Sequence, residues 1–125
     1  MNITAFNPLI ITRDAESVVQ RFEEMGFKRH HRKDGIGEFA FTDIRMKDAN
    51  GFYLDIVQTD ALPLKQDWTA VRVNVDDFFK AYSILLSRGF RHVYVDRMAE
   101  TGSSRSALMI APSGFSIYLV QHIRK

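Results

Sequence analysis

Apolar residues recur along the chain with alternating periods that predict strand, helix and strand in turn. Residues 8–13 form a short apolar run ending at Asp14, whose carboxylate suits a helix N-cap because it can accept from an unpaired backbone N–H. Val18, Phe22 and Met25 follow at i, i+4 and i+7, one stripe of an amphipathic helix, and Gly26 supplies its stop. Strand-like segments come next at 27–33, 37–47 and 52–58, with Asp34-Gly35 and Asn50-Gly51 as hairpin signals.

The same order returns in the second half. Asp77 caps a predicted helix whose Phe78, Ala81, Tyr82, Leu85 and Leu86 form one apolar stripe, and Gly89 stops it. Strands are expected at 90–97, 104–110 and 115–122, with a turn at Pro112-Ser113-Gly114. Residues 98–103 are small and polar and read as a mobile loop, while 60–67, with Pro63, read as the link between halves. A shift of 63 residues overlays the punctuation: Asp14 on Asp77, Gly26-Phe27 on Gly89-Phe90, Gly51-Phe52 on Gly114-Phe115, and Val57 on Val120.

The chain therefore reads as α+β, two tandem βαβββ units at about 6–59 and 68–122 within a single domain spanning 1–125. A ferredoxin-like βαββαβ layout competes but predicts fewer strands per half. The length of 125 residues fits one domain, and each half of about 60 is too small to be comfortable alone. No cysteine is present, which excludes disulfides, cysteine-held zinc and thiol nucleophiles. The net charge is only +2, too weak by itself to imply a nucleic-acid partner. Neither a signal-peptide pattern nor a membrane-length apolar run occurs, so a cytoplasmic protein is expected.

A βαβββ unit used twice, each with an Asp-capped helix ending in Gly-Phe, resembles the vicinal oxygen chelate superfamily of glyoxalases, bleomycin-resistance proteins and extradiol dioxygenases. The turns Asp48-Ala49-Asn50-Gly51 and Ala111-Pro112-Ser113-Gly114 before each last strand fit the same resemblance, which covers about 6–121. It implies curled mixed sheets enclosing a cleft, helices outside, and a homodimer. It also implies, in the catalytic members, a divalent metal held by side chains of the first and last strand of each unit. Carried onto this chain, those positions are Asn7, Asp55, Ala70 and Tyr118. Alanine has no donor, and a neutral phenol is a poor ligand, so no metal and no other cofactor is expected.

Strand alternation then assigns the cleft face. Asn7, Leu9, Ile11, Tyr53, Asp55, Ala70, Arg72, Asn74, Ser116 and Tyr118 are the expected ligand-binding residues. The opposite face, with Ile10, Leu54, Ile56, Val73, Val75, Ile117 and Leu119, is apolar and belongs beneath the helices. The mixed lining suggests a small organic ligand, neutral, aromatic or anionic, anchored by Arg72 and bound or sequestered rather than transformed. Two other functions compete: a metal-dependent glyoxalase-like lyase or isomerase using Asp55, and a basic nucleic-acid-binding module.

The basic run at 28–33 lacks interleaved aromatics and reads as an edge strand whose charges discourage sheet-to-sheet association. His30 and His31 are adjacent on that strand, so alternation expects them on opposite faces and unable to act together. No nucleophile elbow or phosphate loop is present, and no catalytic residue is assigned.

Overall fold

The computed structural model describes residues 1–36, 41–60, 65–93, 99–100 and 103–123. Two compact units divide the chain, one of Asn7–Thr69 and one of Ala70–Lys125 together with Met1–Phe6.

The Asn7–Thr69 unit holds most of β1 (Ile3–Thr12), then α1 (Ala15–Glu24), β2 (Lys28–Ile36), β3 (Phe41–Lys47) and β4 (Tyr53–Gln58). Its strands lie in the order β2-β3-β4-β1, with β1 parallel to β4 and the other pairs antiparallel. The Asp14 carboxylate accepts from the Ser17 N–H at 3.2 Å and the Ser17 hydroxyl at 2.6 Å, as a capped helix start requires. Those bonds hold the exposed Asp14 carboxyl below its usual range. Gly26, at φ +103°, ends the helix in a conformation L side chains avoid. Ala15 and Val19 of α1 pack onto Ile44, Met46, Leu54 and Ile56, flanked by Ile10, Val18, Phe22 and Phe27. This is the apolar face expected beneath the helix.

The second unit repeats the plan with most of β5 (Trp68–Val75), then α2 (Phe78–Ser87), β6 (Arg91–His92), β7 (Ala99–Glu100), β8 (Ser104–Ile110) and β9 (Ser116–His122). The order is β5-β9-β8-β6, with β7 also on β8 and β5 parallel to β9. Asp77 caps α2 by accepting from the Lys80 N–H at 3.2 Å. Phe78 and Ala81 pack onto Val75, Ala107, Met109 and Leu119, flanked by Val73, Tyr82, Leu85, Phe90 and Ile117. The offset of 63 holds pair by pair: Leu9 is opposite Asp55 as Arg72 is opposite Tyr118, and Arg45 is opposite Asp55 as Leu108 is opposite Tyr118.

Three expectations need correction, and a fourth lies partly outside the described residues. β1 begins at Ile3 rather than at residue 8, because Ile3, Thr4 and Phe6 favour strand and Pro8 does not interrupt it. Asp34-Gly35 is not a turn: β2 runs through it to Ile36, with a register shift between Lys33 and Ile36 that absorbs the glycine. Ala99 and Glu100 pair with Ser106 and Arg105, so part of the expected loop is strand; the free edge of β8 outweighs the small, polar composition. The strand expected at 90–97 is described only as Arg91–His92, and its residues 94–97 lie outside the described residues. So do 98 and 101–102 of the loop, 37–40 of the second strand and 61–64 of the link.

Candidate functional site

In the Asn7–Thr69 unit, alternation puts Asp43, Arg45 and Lys47 of β3 on the face turned away from α1, since Ile44 and Met46 pack beneath it. The Asp48–Phe52 turn fixes the register. The Asp48 N–H donates to the Phe52 carbonyl at 3.1 Å, so Lys47 pairs with Tyr53 and Arg45 with Asp55. Leu9 lies opposite Asp55 on the other side, and His31 opposite Arg45. One row across four strands therefore reads His31, Arg45, Asp55, Leu9.

The polar centre of this row is Asn7. Its amide nitrogen donates to Asp55 Oδ2 and to the Pro8 carbonyl, both at 2.8 Å, and its Oδ1 accepts from an Arg45 η-nitrogen at 3.2 Å. Every group of the carboxamide is thus engaged, which fixes which way it points. Asp55 is wholly buried, a position tolerable for a carboxylate only with donors around it. The Arg45 guanidinium lies 4.1 Å above the Tyr53 ring, where the ring quadrupole attracts a cation, and Lys47 Nζ lies 5.3 Å from the same ring.

His30 completes the arrangement in a way alternation did not foresee. The β2–β3 register shifts between Arg29 and His31, leaving His30 as a bulge residue with no partner in the ladder. A bulge cancels the strict alternation of faces, and His30 and His31 line the same shallow depression of about 280 Å³ with Arg45 and Tyr53. The His30 ring meets the Tyr53 ring edge-on at 5.6 Å. The expectation that these histidines serve opposite faces is therefore corrected.

Of the expected binding residues, this unit brings Asn7, Asp55 and Leu9 together in one row or its bonds, with Tyr53 beside them. Leu9 and Ile11 are buried. In the other unit, Arg72 and Tyr118 stand side by side in the ladder, and Arg72 Nε donates to Asn74 Oδ1 at 3.0 Å. Arg72 is only 7% exposed, so part of the expected anchor is already committed inside the protein. Ala70, Asn74 and Ser116 are buried and Tyr118 is half-buried. Arg45, His30 and His31 were missed from sequence, although counting back from the Asn50-Gly51 turn puts Arg45 opposite Asp55.

The metal implied by the resemblance does not fit these side chains. Asn7 could ligate only through Oδ1, and that oxygen faces a guanidinium, which would repel a cation. Ala70 offers no donor, and no group of three or more His, Cys, Asp or Glu that could hold a metal occurs among the described residues.

Comparison of the sequence with known protein families and with curated proteins finds no match. Solved structures are similar throughout the chain. Methylmalonyl-CoA epimerase from Mycobacterium tuberculosis is 15% identical, covering 98% of this chain and 90% of its own, with a TM-score of 0.70. A Streptomyces coelicolor methylmalonyl-CoA epimerase variant is 17% identical, covering 98% and 100%, with a TM-score of 0.69. A glyoxalase/bleomycin resistance protein/dioxygenase superfamily member from Vibrio splendidus is 13% identical, covering 96% and 99%, with a TM-score of 0.61. The chain has the vicinal oxygen chelate fold. No helix among the described residues is long and apolar enough to cross a membrane.

Proposed function

We propose that this protein binds a small organic ligand without a resident metal, on the strand face turned away from α1, and holds or sequesters it rather than transforming it. The observation that carries this reading is the Asn7 carboxamide, locked between Asp55 and Arg45 at 2.8 and 3.2 Å. Where a chelating member of the superfamily would present a metal donor, this chain presents a hydrogen-bonded pair with a cation against it. The walls beside it, Tyr53 with its two flanking cations and the buried Leu9 and Ile11, are the mixed apolar and polar lining of a small-molecule site. A homodimer belongs to the same reading. It is supported by large apolar side chains left open to solvent, among them Ile3 at 60%, Phe6 at 67% and Phe52 at 65%.

Two measurements test it. Elemental analysis of the purified chain, followed by calorimetric titration with Ni²⁺, Zn²⁺, Mn²⁺ and Fe²⁺, is expected to give well under one metal per chain; stoichiometric uptake abolished by Asp55→Asn would overturn the metal-free part. A thermal-shift screen of small organic acids, phosphate esters and neutral aromatics is expected to find saturable stabilisation that Tyr53→Ala diminishes. Stabilisation by none of them, or the same stabilisation in that variant, removes this face as the site.

A further inference from the structure

The depression at His30, His31, Arg45 and Tyr53 carries a charge imbalance that its own unit does not resolve. Four arginines among the described residues meet carboxylates: Arg21 pairs with Glu24, Arg29 with Glu16 and Glu23, Arg32 with Asp34, and Arg105 with Glu100. Arg45 is held differently. It is half-buried, its partners are a neutral amide oxygen and a neutral ring, and no carboxylate stands within ion-pairing distance of it among the described residues. The Asn7 amide, which also holds Asp55, comes between the guanidinium and that buried carboxylate. A cation already drawn partly out of water gains most from an anion arriving at its open side.

The surroundings point the same way. The bulge places two imidazoles, each able to donate an N–H, in the same depression as Arg45. A second depression of about 350 Å³ adjoins the first through His30, and its charged lining is Lys28, Arg29 and Lys47 with the single carboxylate of Asp48. Lys28 and Lys47 face each other across β2 and β3, so beyond His30 three cations stand against one carboxylate. The first depression, near 280 Å³, has room for a small charged group and the start of what carries it.

We propose that the His30 bulge builds an anion site, in which a carboxylate or phosphate group of the ligand sits between Arg45, His30 and His31. The proposal rests on the ligand-binding reading above and adds to it the charge class of the ligand and the place of its charged end. Arg45 supplies the forked donors, Tyr53 and Asn7 hold that fork in one orientation, and the histidines close the side that solvent would otherwise occupy. The anion is chosen by donor geometry rather than by net charge, which is only +2 for the chain.

The test uses the full chain, isotopically labelled, titrated at constant pH with inorganic phosphate and with acetate against sodium chloride at matched ionic strength. Nuclear magnetic resonance signals of the His30 and His31 rings and of Arg45 Nε report the site. Saturable shifts with phosphate or acetate, absent with chloride, are expected, and the stronger of the two anions tells a phosphate ester from a carboxylic acid. Arg45→Gln is expected to weaken binding at least about tenfold, the loss of a charge-assisted pair. Exposed His31→Gln is expected to weaken it severalfold with the fold intact. Should Arg45→Gln not fold, the wild-type titration and His31→Gln decide alone. Shifts no larger than those of chloride, or unchanged binding in the folded variants, overturn the anion site while leaving a neutral ligand open. Stoichiometric metal would overturn the metal-free reading and leave the anion result standing.

Discussion

The Gln58 side-chain oxygen accepts a hydrogen bond from the Ala15 backbone N–H at 2.9 Å, tying the end of β4 to the first residue of α1. Sixty-three residues later Gln121 does the same for Phe78 at 2.8 Å, and its amide also donates to the Asp76 carbonyl. Each helix start is thus satisfied twice, by its capping aspartate and by a glutamine from the unit's last strand.

Gln58→Ala and Gln121→Ala should therefore each lower stability by about 1 kcal/mol, as loss of one partly buried hydrogen bond does. Chemical denaturation of the single and double variants checks this. Midpoints unchanged in both singles would show that the aspartate caps suffice.

Asn7→Leu leaves Asp55 without one donor and Arg45 without its acceptor in the same stroke. We expect a loss of about 2–4 kcal/mol, in the range for stripping a partner from a buried charge. Equilibrium unfolding in urea measures it. A cost below about 0.5 kcal/mol, that of an ordinary surface change, would mean the network contributes nothing to the fold.

The two helix-ending glycines separate strain from crowding. Both have positive φ, +103° at Gly26 and +87° at Gly89. A Cβ at Gly26 meets open space, whereas one at Gly89 comes within 3.0 Å of Pro112 Cγ. Gly26→Ala should cost about 1 kcal/mol from backbone strain alone, and Gly89→Ala more. Melting temperatures in the reverse order would contradict this.

Acid should weaken the protein through its surface carboxylates. The Ser17 bonds hold Asp14 low, Arg29 holds Glu16 low, and the Asn2 backbone N–H holds Asp76 low. A depressed folded-state pKa means the unfolded chain binds more protons, so the stabilisation is full above the ordinary carboxylate range. It is lost as pH falls through that range and below. Melting temperature followed from neutral to acid pH should be flat and then fall, and Asp14→Asn should blunt the fall.

Much of the fold was legible because it is written twice. The capping pair Asp14 and Asp77, the stops Gly26 and Gly89, and the apolar alternation of Leu54-Ile56 and Ile117-Leu119 each depend on neighbours a few residues away. Sequence reports such local relations well. The site was less legible. Asn7 and Asp55 were found by alternation, but the bond joining them to Arg45 depends on strand register. The pairing of His30 with His31 depends on a bulge that no local pattern announces. β7 was missed for a related reason: two residues become a strand only because β8 offers an edge.

The unbroken spacing of 63 residues has a consequence for how such a chain can change. Turns, caps and helix–sheet packing are served by one set of positions in each copy, and the row opposite the helix by another. In one copy that second set reads Asn7, Arg45, Asp55; in the other the same places hold Ala70, Leu108, Tyr118. At these three places one backbone plan carries a hydrogen-bonded network of charged and amide groups in one copy and uncharged side chains in the other. At those places each copy serves as the other's substituted variant.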